Sequence, residues 1–145
     1  LIISVEVFQK IIMPKGKILI IDDEQDLVRL VKEILELEDF QVSGAYDGEE
    51  GLRKATSEIP DLILLDIKMP GLNGFQVLER LKIDKATSNI PVVMLTTSLL
   101  RRDRDKAFHL GAVDYVIKSL EGFELGERIR KILKERVQDK DNIGR

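Results

Sequence analysis

The sequence predicts an α/β fold: a doubly wound, five-stranded parallel sheet with helices on both faces. Three observations carry that expectation. Short runs rich in Ile, Val and Leu recur along the chain with little period-two alternation, as strands buried on both faces do. Segments with apolar residues three and four apart separate them. The connections between the two kinds of segment are short, which favours βαβ units.

The elements follow in order. Lys17-Ile18-Leu19-Ile20-Ile21 is a buried strand that ends in Asp22-Asp23-Glu24. The first helix carries Leu27, Leu30, Val31, Ile34 and Leu37 as one apolar stripe. Gln41-Val42-Ser43-Gly44-Ala45 is a weaker strand nearer an edge, and Asp47-Gly48 turns into a second helix from Glu49 to about Thr56. Leu62-Ile63-Leu64-Leu65-Asp66 is an apolar run ending on an acid, between Pro60 and Met69-Pro70-Gly71. Asn73 is suited to cap a third helix bearing Phe75, Val77, Leu78 and Leu81. The fourth strand is Ile90-Pro91-Val92-Val93-Met94-Leu95, with Thr96-Thr97-Ser98 after it. A fourth helix runs from about Leu99 to Leu110 and stops at Gly111. Val113-Asp114-Tyr115-Val116-Ile117 is the fifth strand, ending in Lys118, and a fifth helix spans about Gly122 to Val137. Right-handed crossovers then leave the flavodoxin-like order 2-1-3-4-5 as the default topology.

Residues 15–138 form the expected domain. Residues 1–14 are an apolar N-terminal extension, strand or helix, that the fold does not need, and residues 139–145 are a polar tail. The chain of 145 residues is 43% hydrophobic and 34% charged, enough for one core and a well-solvated surface. Its net charge of −3 argues against a nucleic-acid face, which needs excess Lys and Arg. Arg101, Arg102 and Arg104 are interleaved with Asp103 and Asp105, so they form a mixed-charge surface and not a basic stripe. No cysteine and a single histidine, His109, exclude disulfides, thiolate chemistry and multi-histidine metal sites. No apolar run is long enough to span a membrane.

The strand ends carry the chemistry. In the expected order Asp22, Asp23, Asp66, Thr96 and Lys118 converge at the carboxyl edge of the sheet, where open α/β sheets bind ligands. Three clustered carboxylates repel, and a hard divalent cation such as Mg²⁺ relieves them. A lysine and a hydroxyl opposite would grip phosphoryl oxygens, completing a metal, a cationic clamp and a carboxylate nucleophile. Each residue alone has an ordinary explanation: helix-dipole acids, a turn-starting Asp, a β-branched strand residue, a solvated lysine. Their conjunction at successive strand ends does not.

The motifs Ile20-Ile21-Asp22-Asp23-Glu24, Leu64-Leu65-Asp66-Ile67-Lys68-Met69-Pro70-Gly71, Met94-Leu95-Thr96 and Gly111-Ala112-Val113-Asp114-Tyr115-Val116-Ile117-Lys118 resemble those of the response regulator receiver domains of two-component signalling. The resemblance spans about Lys17 to Val137. It implies a cytoplasmic phosphoacceptor switch, not an enzyme in its own right beyond assisting its own phosphorylation and dephosphorylation. Asp66 would be phosphorylated by a histidine kinase or histidine phosphotransfer protein. Mg²⁺ would be held by Asp23 and Asp66, by Asp22 through water and by the backbone carbonyl of Lys68. Lys118 would pair with the phosphoryl group, Thr96 would move to hydrogen-bond it, and Tyr115 would swing inward. That would reshape the face of the fourth helix, fifth strand and fifth helix, where a downstream protein docks. The chain would be a single-domain regulator or the receiver part of a longer one.

Three positions depart from the family pattern. Ser119 stands where a proline usually follows the lysine, Thr97 replaces a small residue, and Lys68 puts a cation near Asp66. Three other readings are weaker. An aspartyl-phosphate hydrolase of the haloacid dehalogenase type wants an acid two residues after the nucleophile, where this chain has Lys68. A receiver that works without phosphorylation would lack one of the acids or the lysine, and all are present. A flavin or nucleotide binder wants a Gly-rich first loop, where Asp22-Asp23-Glu24 would repel phosphate.

Overall fold

The computed structural model of the chain describes residues 2–12, 15–119 and 123–143. Five strands, β1 (Lys17–Ile21), β2 (Gln41–Ala45), β3 (Leu62–Leu65), β4 (Val92–Thr96) and β5 (Asp114–Ile117), form one parallel sheet in the order β2-β1-β3-β4-β5. The helices are α1 (Val5–Ile12), α2 (Gln25–Leu37), α3 (Gly48–Glu58), α4 (Gly74–Ile83), α5 (Arg101–His109) and α6 (Phe123–Ile143). The flavodoxin-like order expected from handedness is therefore the order observed.

Burial follows position in the sheet. Every residue of β3 and β4 is buried, whereas β2 and β5 at the two edges are only partly covered. Successive side chains point to opposite faces, so each strand feeds two cores. Leu19, Ile21, Ile63 and Leu65 pack with Ala55 of α3, Val77 and Leu78 of α4 and Ala107 of α5. Ile18, Ile20, Leu62 and Leu64 pack with Val28, Val31 and Leu35 of α2 and Ile129 of α6.

Local signals set the helix ends. The Asp47 side chain accepts the Glu50 N–H at the start of α3, and Asn73 with Gln76 forms a reciprocal capping box on α4. Gly111 follows α5 with φ of +109°, a conformation that a Cβ would strain.

The structure corrects the sequence reading in several places. The inward stripe of α2 is Val28, Val31 and Leu35, while Leu30 and Leu37 are 49% and 85% exposed. Two apolar stripes overlap at Val31, and docking on β1 and β2 selects between them. Strand β4 begins at Val92, after Pro91, and α5 begins at Arg101 with Leu100 as its N-cap. Helix α6 continues past Val137 to Ile143, so most of the polar segment after it is helical. Its expected start at Gly122 lies outside the described residues. In the N-terminal extension the helical alternative is the one adopted, as α1.

Candidate functional site

Register builds the site. Ile21 pairs with Leu65, so Asp22 and Asp66 step off neighbouring strands side by side. The Asp66 N–H donates to Ile21 O, which holds the two strand ends together (3.0 Å). Thr96 pairs with Ile117, and the Lys118 N–H donates to Thr96 O at 2.8 Å, which brings the lysine over the same edge. The Lys118–Ser119 peptide is trans; no cis peptide occurs among the described residues.

The Lys118 ammonium lies 2.7 Å from Asp22 Oδ2, 3.1 Å from Asp66 Oδ2 and 3.5 Å from Glu24 Oε1. The lysine side chain is only 8% exposed and Asp22 only 1%. The contact with Asp66 has hydrogen-bond geometry; the contact with Asp22 is an ion pair off the hydrogen-bond angle. Asp66 Oδ1 accepts the Ile67 N–H, and Asp22 Oδ1 accepts the Glu24 N–H. Burial pushes the Asp22 carboxyl above its ordinary value; Lys118 and the Glu24 N–H oppose the rise and the Asp66 charge adds to it. Burial works against the Lys118 ammonium, yet its pairing with Asp22 and then Asp66 leaves it above the usual lysine value.

The acids fit a hard cation. Asp22, Asp23 and Asp66 each offer an oxygen, all within 4.8 Å of one another. Asp22 Oδ2 is buried without a hydrogen-bond partner, an atom that a metal or its bound water would satisfy. Asp23 is exposed, leaving one side of the cluster open to solvent and to an incoming group. An all-carboxylate donor set with an open side suits Mg²⁺.

The remaining candidates lie around this centre. Thr96 is buried at the end of β4, and its Oγ1 accepts the Ser98 N–H at 3.3 Å. Tyr115 already lies inward, 5% exposed, with its hydroxyl donating to Ser98 O at 3.0 Å. Thr97 and Lys68 are exposed; Lys68 lines an open cleft of about 510 Å³ with Met69, Pro70 and Phe75. His109 is exposed at the end of α5, away from the acids.

Sequence reasoning missed three contributors. Glu24 extends a third carboxylate to Lys118, and Ser98 joins Thr96 to Tyr115; neither has a local signature. Gly74 has no local signature of a role at the site either, but a Cβ there would run into the carbonyl oxygen of Asp66. The Gly74 N–H donates to Ile67 O at 2.7 Å, clamping the loop that carries Asp66.

Comparison with known proteins identifies the family and the fold. The family model of the response regulator receiver domain matches residues 18–130. The transcriptional regulatory protein CpxR of Escherichia coli is 43% identical over 132 residues, covering 88% of this chain and 55% of CpxR. A CheY-like receiver domain protein from Methanospirillum hungatei superposes with a TM-score of 0.79 at 31% identity, covering 85% of this chain and 97% of that one. Response regulator TrrA from Thermotoga maritima gives a TM-score of 0.72 at 35% identity, covering 79% and 96%. The chain spans about half the length of curated relatives such as CpxR, and 26% of the response regulator PleD of Caulobacter vibrioides.

Proposed function

This chain belongs to the response regulator receiver family, signalling switches of two-component systems, and on that premise we propose that Asp66 is its phosphoacceptor. The observation that carries the reading is the meeting of Asp22, Asp66 and Lys118 at one sheet edge, with the ammonium within 3.1 Å of both carboxylates.

A histidine kinase or histidine phosphotransfer protein presents a phosphohistidine. A carboxylate oxygen of Asp66 attacks phosphorus, the P–N bond breaks, and the imidazole nitrogen leaves with the electron pair and takes up a proton. Lys118 moves from the carboxylates to the phosphoryl oxygens, where its charge offsets theirs. Thr96 donates its hydroxyl proton to the same group. When bound, Mg²⁺ neutralises negative charge on the phosphoryl oxygens. Asp22, Asp23, Asp66 and the carbonyl of Lys68 would hold it; the TrrA structure is of a complex with Mg(2+)-BeF, which supports the assignment by similarity. The same groups assist the later attack of water on the acyl phosphate.

Phosphorylation adds charge and acceptor oxygens at one point, and the Thr96–Tyr115 pair passes the change to α5, β5 and α6. A downstream protein, or an effector segment in a longer chain of the CpxR kind, reads that face. No helix among the described residues is long and apolar enough to cross a membrane; the cytoplasmic site of action we propose rests on the resemblance to the receiver family.

The test is phosphorylation by acetyl phosphate with Mg²⁺, followed by intact mass. Wild type should gain one phosphoryl group and Asp66→Asn none. An unmodified wild type that still binds Mg²⁺ would remove the phosphoacceptor reading.

A further inference from the structure

Ser98 is the hub of the loop between β4 and α5. Its N–H donates to Thr96 Oγ1 (3.3 Å), its carbonyl accepts the Tyr115 hydroxyl (3.0 Å), and its Oγ accepts the Leu100 N–H (3.3 Å). The same Oγ donates to Asp103 Oδ2 at 2.5 Å. Ser98 is 7% exposed, so these partners are the ones it has in place of water. The bond to Asp103 is the only charge-assisted one of the four and the shortest.

We propose that Asp103 is a positioning residue for the switch: through Ser98 it holds Tyr115 inward and keeps Thr96 ready for a phosphoryl group before one arrives. The proposal rests on the phosphoacceptor reading of Asp66. The Ser98 N–H occupies a lone pair of Thr96 Oγ1, which leaves the threonine proton free to donate towards the site. The Tyr115 hydroxyl, bonded to Ser98 O, closes the loop from the other side. Asp103 sits in the first turn of α5, which has no side-chain cap at Leu100, and the Ser98–Asp103 pair takes over that end. Asp103 therefore ties the start of α5 to the hydroxyl that would meet the phosphoryl group.

Without the carboxylate the loop samples more arrangements, and only a fraction keep Thr96 and Tyr115 set. The apparent affinity for a phosphoryl mimic falls by that fraction, whereas Mg²⁺ binding at the acids does not depend on it. The experiment is titration of beryllofluoride in saturating Mg²⁺, read by amide chemical shifts, on wild type, Asp103→Ala, Asp103→Asn and Ser98→Ala. Asp103→Ala and Ser98→Ala should each weaken binding about fivefold. Asp103→Asn, which keeps an acceptor for the serine hydroxyl, should stay within about twofold of wild type. The affinity for Mg²⁺ alone should be unchanged in all three. Wild-type affinity in both Asp103→Ala and Ser98→Ala would overturn the proposal, as would equal loss in Asp103→Asn and Asp103→Ala. A parallel loss of Mg²⁺ affinity would also overturn it, by showing general loosening. Failure of wild type itself to bind beryllofluoride would instead remove the phosphoacceptor reading.

Discussion

The Lys118 ammonium stands 3.1 Å from Asp66 Oδ2 across 52 residues of sequence, and the same nitrogen is 2.7 Å from Asp22. One buried cation thus balances two buried carboxylates. The balance makes the site sensitive to any change in its charge.

Lys118→Met should destabilise the metal-free protein by about 3 kcal/mol, because it leaves both carboxylates uncompensated in a buried setting. Saturating Mg²⁺ should restore more stability to the variant than it adds to wild type. Urea unfolding with and without Mg²⁺ measures both; a variant as stable as wild type without metal would show that the lysine is not the compensating charge.

Asp22→Asn should do the opposite. The folded Asp22 carboxyl titrates above 3.8, chiefly through burial, so its ionised form costs stability at neutral pH. The cost is present above the folded pKa and is relieved as the pH falls through it towards 3.8. The variant should be more stable than wild type in metal-free buffer at neutral pH, with the gap closing on acidification. It should also bind Mg²⁺ more weakly. Paired unfolding curves across the acid range and calorimetric Mg²⁺ titration decide the matter, and a variant less stable at neutral pH would contradict it.

Tyr115→Phe removes the hydroxyl bond to Ser98 O and should cost about 1 kcal/mol. Burial raises the folded tyrosine above 10.0, so its neutral form contributes stability below that pH and loses it as the pH rises through the folded value. The advantage of wild type over the variant should therefore shrink above pH 10.0. Urea midpoints of the two proteins on either side of that pH test the sign.

Gly74→Ala should cost about 2 kcal/mol or more, since its Cβ would collide with the Asp66 carbonyl, backbone that cannot move without moving the Asp66 side chain. Stability and acetyl-phosphate reactivity should fall together. A variant impaired in neither would show that the loop carrying Asp66 yields freely.

Much of the fold was legible because buried parallel strands have a plain signature. Ile18 to Ile21, Leu62 to Leu65 and Val92 to Leu95 are continuous apolar runs, and each is buried as such runs require. Handedness then leaves one main way to order them, and that order brings the residues after each run to one edge. Asp22, Asp66, Thr96 and Lys118 could be placed together on those grounds alone.

Only the tertiary structure decided the rest, because periodicity states which residues are apolar but not which way an element turns when it docks. In α2 two stripes share Val31, and contact with β1 and β2 put Val28 and Leu35 inside while leaving Leu30 and Leu37 outside. The reach of Glu24 to Lys118 and the bond from the Tyr115 hydroxyl to Ser98 O depend on segments meeting across the sheet edge. Such meetings leave no pattern in the chain: the residues that meet are set by register and packing between segments distant in sequence, not by their neighbours.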